Sequence, residues 1–401
     1  MFDKNYKIDD LMDFDEKYVL HTYARKKIRF SYGQNARLYT PCSREFIDFG
    51  SGIGVCSVGH GNQELADAIA KQAKDLIHLS NLYLIEPQAL LAKKLVELCG
   101  YDMRVFFSNS GAEANECAIK IARKFGEKDE KIDRYKIITL ESSFHGRTIS
   151  TLKATGQDKM HLHFAPFPDG FLRAKDIDDI YNVVDSKTCG VLLELIQGEG
   201  GISPMDKEKI QKLAKFLKEK NILLMVDEVQ SGIYRTGEIF ASKVYGITPD
   251  IISTAKGLGG GIPIGATLTN LKNIFVPSDH GSTFGGNFLS TRAGLCVLEI
   301  LEKEYNSGKL VATIDSFNQH LEKIISDFSF LFEKKVGIGL MCGLVAKDDN
   351  IQKNIIENAF EEGLLVLKSG KNVVRFLPPL TIKEDEISEG FERLRKACCK
   401  L

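Results

Sequence analysis

The chain has 401 residues, 43% of them hydrophobic, and its 53 Lys and Arg nearly balance 54 Asp and Glu for a formal net charge of -1. That balance excludes a global attraction to nucleic acid or an anionic membrane, and the apolar content excludes intrinsic disorder. The length predicts two or three domains.

In chain order, the opening stretch MFDKNYKIDDLMDFDEKYVL is charged throughout and does not resemble a signal peptide. RVFF (104–107) predicts a strand, followed by SNSGAEANECAIKIARKF, whose apolar positions fit helical spacing. KIITL (136–140) leads into the loop ESSFHGRT, and GVLLELI (190–196) leads into QGEGG. KEKIQKLAKFLKEK (207–220) predicts a helix with a solvated lysine face. ILLMV (222–226) leads into DEVQSG, and IIST (251–254) leads into AKGLGGG. Continuous Val, Ile and Leu runs suit strands buried on both faces, and the intervening helices suit parallel crossovers. TIDSFNQHLEKIISDFSFLF (313–332) predicts an amphipathic helix with Ile314, Phe317, Leu321, Ile324 and Phe328 on one face. KVGIGLMCGLVA and NVVRFLPPL then predict short strands before a last helix.

The expectation is an α/β fold: a large domain, 51–305, with a mostly parallel central sheet and helices on both faces, and a smaller α+β domain, 306–401. The segment 1–50 is expected to pack with the smaller one. Nine cysteines show no paired CxxC spacing, so free thiols in a reducing compartment are expected, with no metal site. Apolar runs such as NILLMV are too short to span a bilayer. A cytoplasmic protein without membrane or nucleic-acid partners is expected.

Ligands of open α/β sheets bind beyond the carboxyl ends of the strands. Four of these ends carry charge: Arg147 after KIITL, Glu199 after GVLLELI, Asp227 after ILLMV and Lys256 after IIST. The glycines follow Lys256, whereas a phosphate-binding GxxxxGK[ST] loop places them before it. GxGxxG also fails, with Ile262 where its last glycine belongs. A lysine among small apolar residues can instead be desolvated and nucleophilic, or it can be an ordinary surface lysine. Pyridoxal phosphate chemistry would further need an acid facing the ring nitrogen and a phosphate cradle. Asp227 fits the acid, although it could simply cap a turn. SNSGAEANE offers a helix N-terminus and the Ser110 hydroxyl to an anion; a Ser110–Glu113 capping box is the alternative. HGSTFGGN (280–287) is a second hydroxyl-rich loop or a plain glycine turn. Phe144 could stack on a planar ring or fill a core, and Arg147 could read a carboxylate or lie on the surface.

Together NSGAEANE, SFHGRT, IQGEGG, VDEVQSGIYRTG, TAKGLGGGIPIGA, HGSTFGGN and VVRFLPPL resemble, in order from about residue 20 to 385, the class III (subgroup II) aminotransferases of fold type I. The resemblance implies pyridoxal 5'-phosphate as cofactor, with Lys256 as Schiff-base lysine and general acid/base and Asp227 on the pyridine nitrogen. It implies Gln230 on the ring 3-oxygen, Phe144 on the ring face, and Ser110, Gly111 and Ala112 on the phosphate. Thr283 would join them across a homodimer interface. Arg147, Glu199, Ser282 and Arg375 would bind substrate, with Glu199 closing over Arg375 for a basic donor and releasing it for 2-oxoglutarate.

Two departures stand out. Leu195 replaces the family's usual proline, and Tyr234 replaces a glycine, where it is expected to crowd or reshape the loop near the cofactor. HTYARKKIRFSYGQNARLYT is similar to the acetylornithine branch of that family. Ile53 lies where ornithine enzymes carry a tyrosine, and an apolar residue suits an acylated nitrogen; GABA enzymes share this trait. The expected reaction moves the distal amino group of N2-acetylornithine to 2-oxoglutarate, with N-succinyl-diaminopimelate as a further donor. Ornithine, succinylornithine and GABA transfer are the alternatives. A related aminomutase, a nucleotide-dependent enzyme and a non-catalytic binding protein fit the residues less well.

Overall fold

The computed structural model describes residues 6–127 and 133–401; residues 1–5 of the segment 1–50 lie outside them. A seven-stranded sheet forms the centre, in the order Arg104–Ser108, Gly265–Thr269, Ile251–Thr254, Leu223–Asp227, Thr188–Leu193, Lys136–Leu140, Phe171–Ala174. Only Gly265–Thr269 runs against its neighbours; the other pairs are parallel. This α/β sheet carries helices on both faces, and strand alternation explains why. Leu224 and Val226 pack with Ile210, Leu213 and Leu217 of the helix Lys207–Glu219. Leu223 and Met225, pointing the other way, pack with Ala118, Ile121 and Ala122 of the helix Gly111–Glu127. Each fully buried Leu or Ile contributes about 1.5–3 kcal/mol. The lysine-rich face of Lys207–Glu219 is therefore the solvent side of a core helix.

The antiparallel strand Gly265–Thr269 was not foreseen. Its glycine and alanine content reads as a loop in isolation, yet all five of its residues are buried in the sheet. Gly265 is needed there because a Cβ would run into the Ser110 carbonyl. GVLLELI also differs from expectation, since its strand stops at Leu193 and a separate short strand begins at Ile196.

The C-terminal portion builds a second sheet, from Phe332–Ile338, Met341–Ala346, Val373–Phe376 and Leu367–Lys368. The expected helix over 313–332 is found at Lys309–Asp327, with Phe317, Leu321 and Ile324 buried. It stops before Phe328, whose φ of -124° and ψ of 42° leave helical space, and Phe332 already belongs to a strand. The N-terminal strand Glu45–Asp48 pairs in parallel with Leu364–Leu365.

Candidate active site

The carboxyl ends of the parallel strands open onto one cavity of about 430 Å³. Its walls include Ser110, Gly111 and Ala112, then Phe144, Arg147, Glu199, Asp227, Gln230 and Lys256. Nine of the twelve expected site residues thus meet in one place. Arg375 lies behind Glu199, whereas Ser282 and Thr283 stand outside the lining.

Lys256 opens a one-turn helix directly after Ile251–Thr254, with a φ of 38°. A non-glycine residue at positive φ is uncommon and clusters at functional sites. Burial holds its amine below the usual lysine range, the Arg375 cation pushing the same way and Glu199 opposing. A lowered pKa favours the neutral, nucleophilic amine.

Asp227 ends the neighbouring strand, 5% exposed. Its Oδ2 accepts from Asn115 Nδ2 (2.7 Å) and His145 Nδ1 (2.9 Å), and its Oδ1 from the Val229 N–H (3.0 Å). Ser253 Oγ in turn donates to Asn115 Oδ1 and fixes that amide. The adjacent Glu228 points to the other side of the strand, where Ser231 Oγ and the N–H groups of Ala241 and Ser242 satisfy it. Strand alternation therefore separates a carboxylate facing the cavity from a structural one.

Asn115, His145 and Glu194 are the residues that sequence reasoning left out. Glu194 is buried and lines the cavity. Its two oxygens accept from the Phe144 N–H (3.0 Å) and the Gly198 N–H (3.2 Å). Burial pushes its carboxyl up to about 7; His145 opposes that shift and Asp227 adds to it. All three lay inside quoted stretches, but Asn115 is on a helix, His145 in a loop and Glu194 just past a strand end, so their roles emerge only where these elements meet.

At the opposite end, Ser110 Oγ accepts from the Glu113 N–H (3.2 Å), and Glu113 Oε2 reaches back to the Asn109 N–H (2.5 Å). The capping reading is thus realised, shifted by one residue on its return arm. It leaves the positive end of a 17-residue helix facing the cavity. The Arg147 guanidinium sits 5.6 Å from the Phe144 ring centroid. Arg375, 3% exposed, donates from Nη1 to Glu199 Oε1 (2.6 Å) and to Gln230 Oε1 (3.3 Å). Gln230 therefore faces Arg375 as well as the cavity. Ser282 accepts from Asn109 Nδ2 (3.3 Å) beside the cavity, while Thr283 is exposed.

Ile53 sits on an unusual turn. Ser51, Gly52, Ile53 and Gly54 all have positive φ, at 40°, 65°, 66° and 74°. A β-branched residue there is an outlier, held by its surroundings. Asp48 Oδ1 accepts from the Gly50 and Ser51 N–H groups (2.8 Å each), and its Oδ2 accepts from His60 Nε2 (2.8 Å). Asp48, with help from Cys56, raises the His60 imidazole to about 10. A raised folded pKa gives stability that is complete below the unfolded value, near 6.5, and is lost as pH climbs through about 10. His60→Gln should therefore melt lower than the parent at pH 6, by on the order of 2 kcal/mol given partial exposure. Melting curves should converge near pH 10; a constant gap would disprove the linkage.

The departures from the family pattern fall away from the cavity. Leu195 is fully buried, and its carbonyl accepts from Tyr245 Oη (3.0 Å). Of the two expectations for Tyr234, crowding or reshaping the loop near the cofactor, crowding is not found. Instead its ring turns into the core, 3% exposed and 5.1 Å from the Tyr305 ring centroid, and it does not line the cavity. Its backbone keeps the left-handed φ of 64° that glycine would adopt freely, so the core packing of the ring offsets that strain.

Residues 21–398 match the family described as aminotransferase class-III. The chain is a class-III aminotransferase. It is 64% identical over 384 residues to an acetylornithine aminotransferase of Wolinella succinogenes, covering 96% of this chain and 98% of that one. Among solved structures, the N-acetylornithine aminotransferase of Stenotrophomonas maltophilia superposes with a TM-score of 0.81 at 32% identity, covering 97% and 98%. An ornithine aminotransferase of Toxoplasma gondii, with PLP partly occupying its active site, gives 0.92 at 29%, covering 99% and 96%.

Class-III aminotransferases work with pyridoxal 5'-phosphate, and the residues present fit it. A helix N-terminus suits the phosphate, a buried carboxylate suits a protonated ring nitrogen, and a desolvated amine suits an aldehyde. The buried His145 Nε2, without a hydrogen-bond partner, shows that this inner wall is not satisfied by protein alone. No group of His, Cys, Asp or Glu among the described residues could hold a metal ion.

Proposed function

We propose that this aminotransferase moves the distal amino group of N2-acetylornithine to 2-oxoglutarate, giving N-acetylglutamate 5-semialdehyde and glutamate, a step of arginine biosynthesis. The observation carrying the reaction type is the convergence of Lys256, Asp227 and the Ser110–Ala112 helix start on one cavity. The substrate rests on the 64% identity to a relative of that name; the apolar Ile53, 43% exposed, lies outside the cavity lining, two residues before Val55, which belongs to it.

Bound there, the cofactor supplies an electron sink for the pair left when a substrate C–H proton departs. Lys256 Nζ takes that proton and returns it, since burial keeps the amine free to accept one. Asp227, held by three N–H donors, keeps a proton on the ring nitrogen. Ser110, Gly111 and Ala112 would hold the phosphate, with Phe144 and Gln230 of the same cavity wall available to the ring and its 3-oxygen. Arg147 binds a substrate carboxylate and Ser282 contributes at the rim. Glu199 neutralises Arg375 while the basic donor is bound, and swings away when 2-oxoglutarate brings an α-carboxylate.

A homodimer completes this reading. Leu82, Tyr83 and Leu84, 87%, 63% and 97% exposed, form an apolar strip together with Phe284, 61% exposed. A second copy covering them would bring Thr283 to its partner's phosphate. The division into 51–305 and 306–401, with 1–50 joined to the latter, is supported by the pairing of Glu45–Asp48 with Leu364–Leu365. A cytoplasmic location accords with nine free cysteines and with no helix, among the described residues, long and apolar enough to cross a membrane.

A donor panel tests the substrate. N2-acetylornithine should exceed ornithine, succinylornithine and GABA in kcat/KM, against ornithine by at least about tenfold. N-Succinyl-diaminopimelate is the expected second donor. Equal or better turnover of ornithine would reject the assignment.

A further inference from the structure

The loop Gly198–Gly201, which carries Glu199, is tied from below and from above. From below, Glu194 Oε1 accepts from the Gly198 N–H (3.2 Å). From above, Ser369 Oγ lies within hydrogen-bond distance of three of its backbone atoms. It faces the carbonyls of Gly198 (2.8 Å) and Glu199 (3.3 Å), and it accepts from the Gly201 N–H (3.1 Å). The Gly370 N–H also donates to the Glu199 carbonyl (3.0 Å).

Ser369 is 4% exposed and rigidly placed. Gln352 Nε2 donates to the carbonyls of Ser369 (2.8 Å) and Val373 (2.7 Å), joining this loop to the strand that bears Arg375. The approach is close: a Cβ on Gly370 would stand 3.0 Å from the Glu199 carbonyl oxygen. The backbones of Glu199 and Arg375 are thus held in one frame. Only the Glu199 side chain retains freedom, its side-chain atoms being 31% exposed against 4% for those of Arg375.

We propose that Ser369 is a positioning residue that clamps the Glu199 backbone, so that Glu199 leaves and regains Arg375 by side-chain rotation alone. A fixed pivot returns the carboxylate to the same place after each turnover. Arg375 is then screened from α-carboxylates whenever a basic donor is bound. The proposal rests on the Glu199–Arg375 exchange described under the proposed function.

Single-turnover half-reactions, followed by cofactor absorbance, provide the test. Ser369→Ala removes the hydroxyl and leaves the Gly201 N–H and Gly198 carbonyl without that partner. It should shift the ratio of glutamate to acetylornithine reactivity toward glutamate by about tenfold. Gly370→Ala, which crowds the same carbonyl, should shift it the same way. An unchanged ratio in Ser369→Ala, or equal loss in both half-reactions, would overturn the clamp. Glu199→Gln is the control: if it too leaves the ratio unchanged, the exchange itself fails, and Ser369 is not the cause.

Discussion

Lys256→Ala will abolish transamination, lowering kcat by at least about 10⁴-fold while the protein stays folded. The physical reason is that, among the described residues, no other amine lines the cavity; Arg147 stands there too, but a guanidinium does not release its proton. Neighbouring carboxylates cannot substitute. Asp227 is held as an acceptor by three N–H donors, and Glu194 is committed to two backbone amides. The fold should survive because Lys256 makes no hydrogen bond on which the sheet depends; the pairing of Ile251–Thr254 with Gly265–Thr269 is backbone alone. Parent protein should be yellow, and borohydride should fix the cofactor to a peptide containing Lys256. A colourless parent, or an alanine variant with substantial turnover, would refute the reading.

Asp227→Ala should be the next most damaging change, lowering kcat/KM by about a thousandfold. Two effects add. The ring nitrogen loses the charge that keeps it protonated, and the buried donors Asn115 Nδ2 and His145 Nδ1 lose their shared acceptor. Each stranded donor costs about 1–3 kcal/mol, so a lower melting temperature without cofactor should accompany the kinetic loss. Asp227→Asn separates the two. It preserves shape and one acceptor but presents N–H groups to donors, so it should remain folded and still be severely impaired. Near-parental kcat/KM in either variant would remove Asp227 from the machinery.

The central sheet was legible because parallel strands buried on both faces leave uninterrupted apolar runs, as in ILLMV and KIITL. The charged residues that end those strands, Asp227 above all, were legible for the same reason: a carboxylate closing an apolar run needs an explanation. Gly265–Thr269 was not, because small residues carry little strand signal and its place depends on the Ser110 loop it must pass. Nor was the direction of Tyr234. The sequence position implied proximity to the cofactor, whereas a left-handed backbone sends the ring toward Tyr305. His145 and Asn115 stand beside residues that were singled out, yet their meaning arises only where a loop and a helix converge on one carboxylate.

The reversed strand carries a kinetic implication. Because Gly265–Thr269 runs against Ile251–Thr254, the chain leaves the sheet at Thr254 and rejoins it beside that residue at Ala266. The lysine therefore rides on a short hairpin, whereas its parallel neighbours are joined by longer crossovers. Closing a short loop removes little chain entropy, and contacts near in sequence form ahead of distant ones. The segment bearing the reactive amine can thus acquire its shape locally, before the far-flung residues that surround it are assembled.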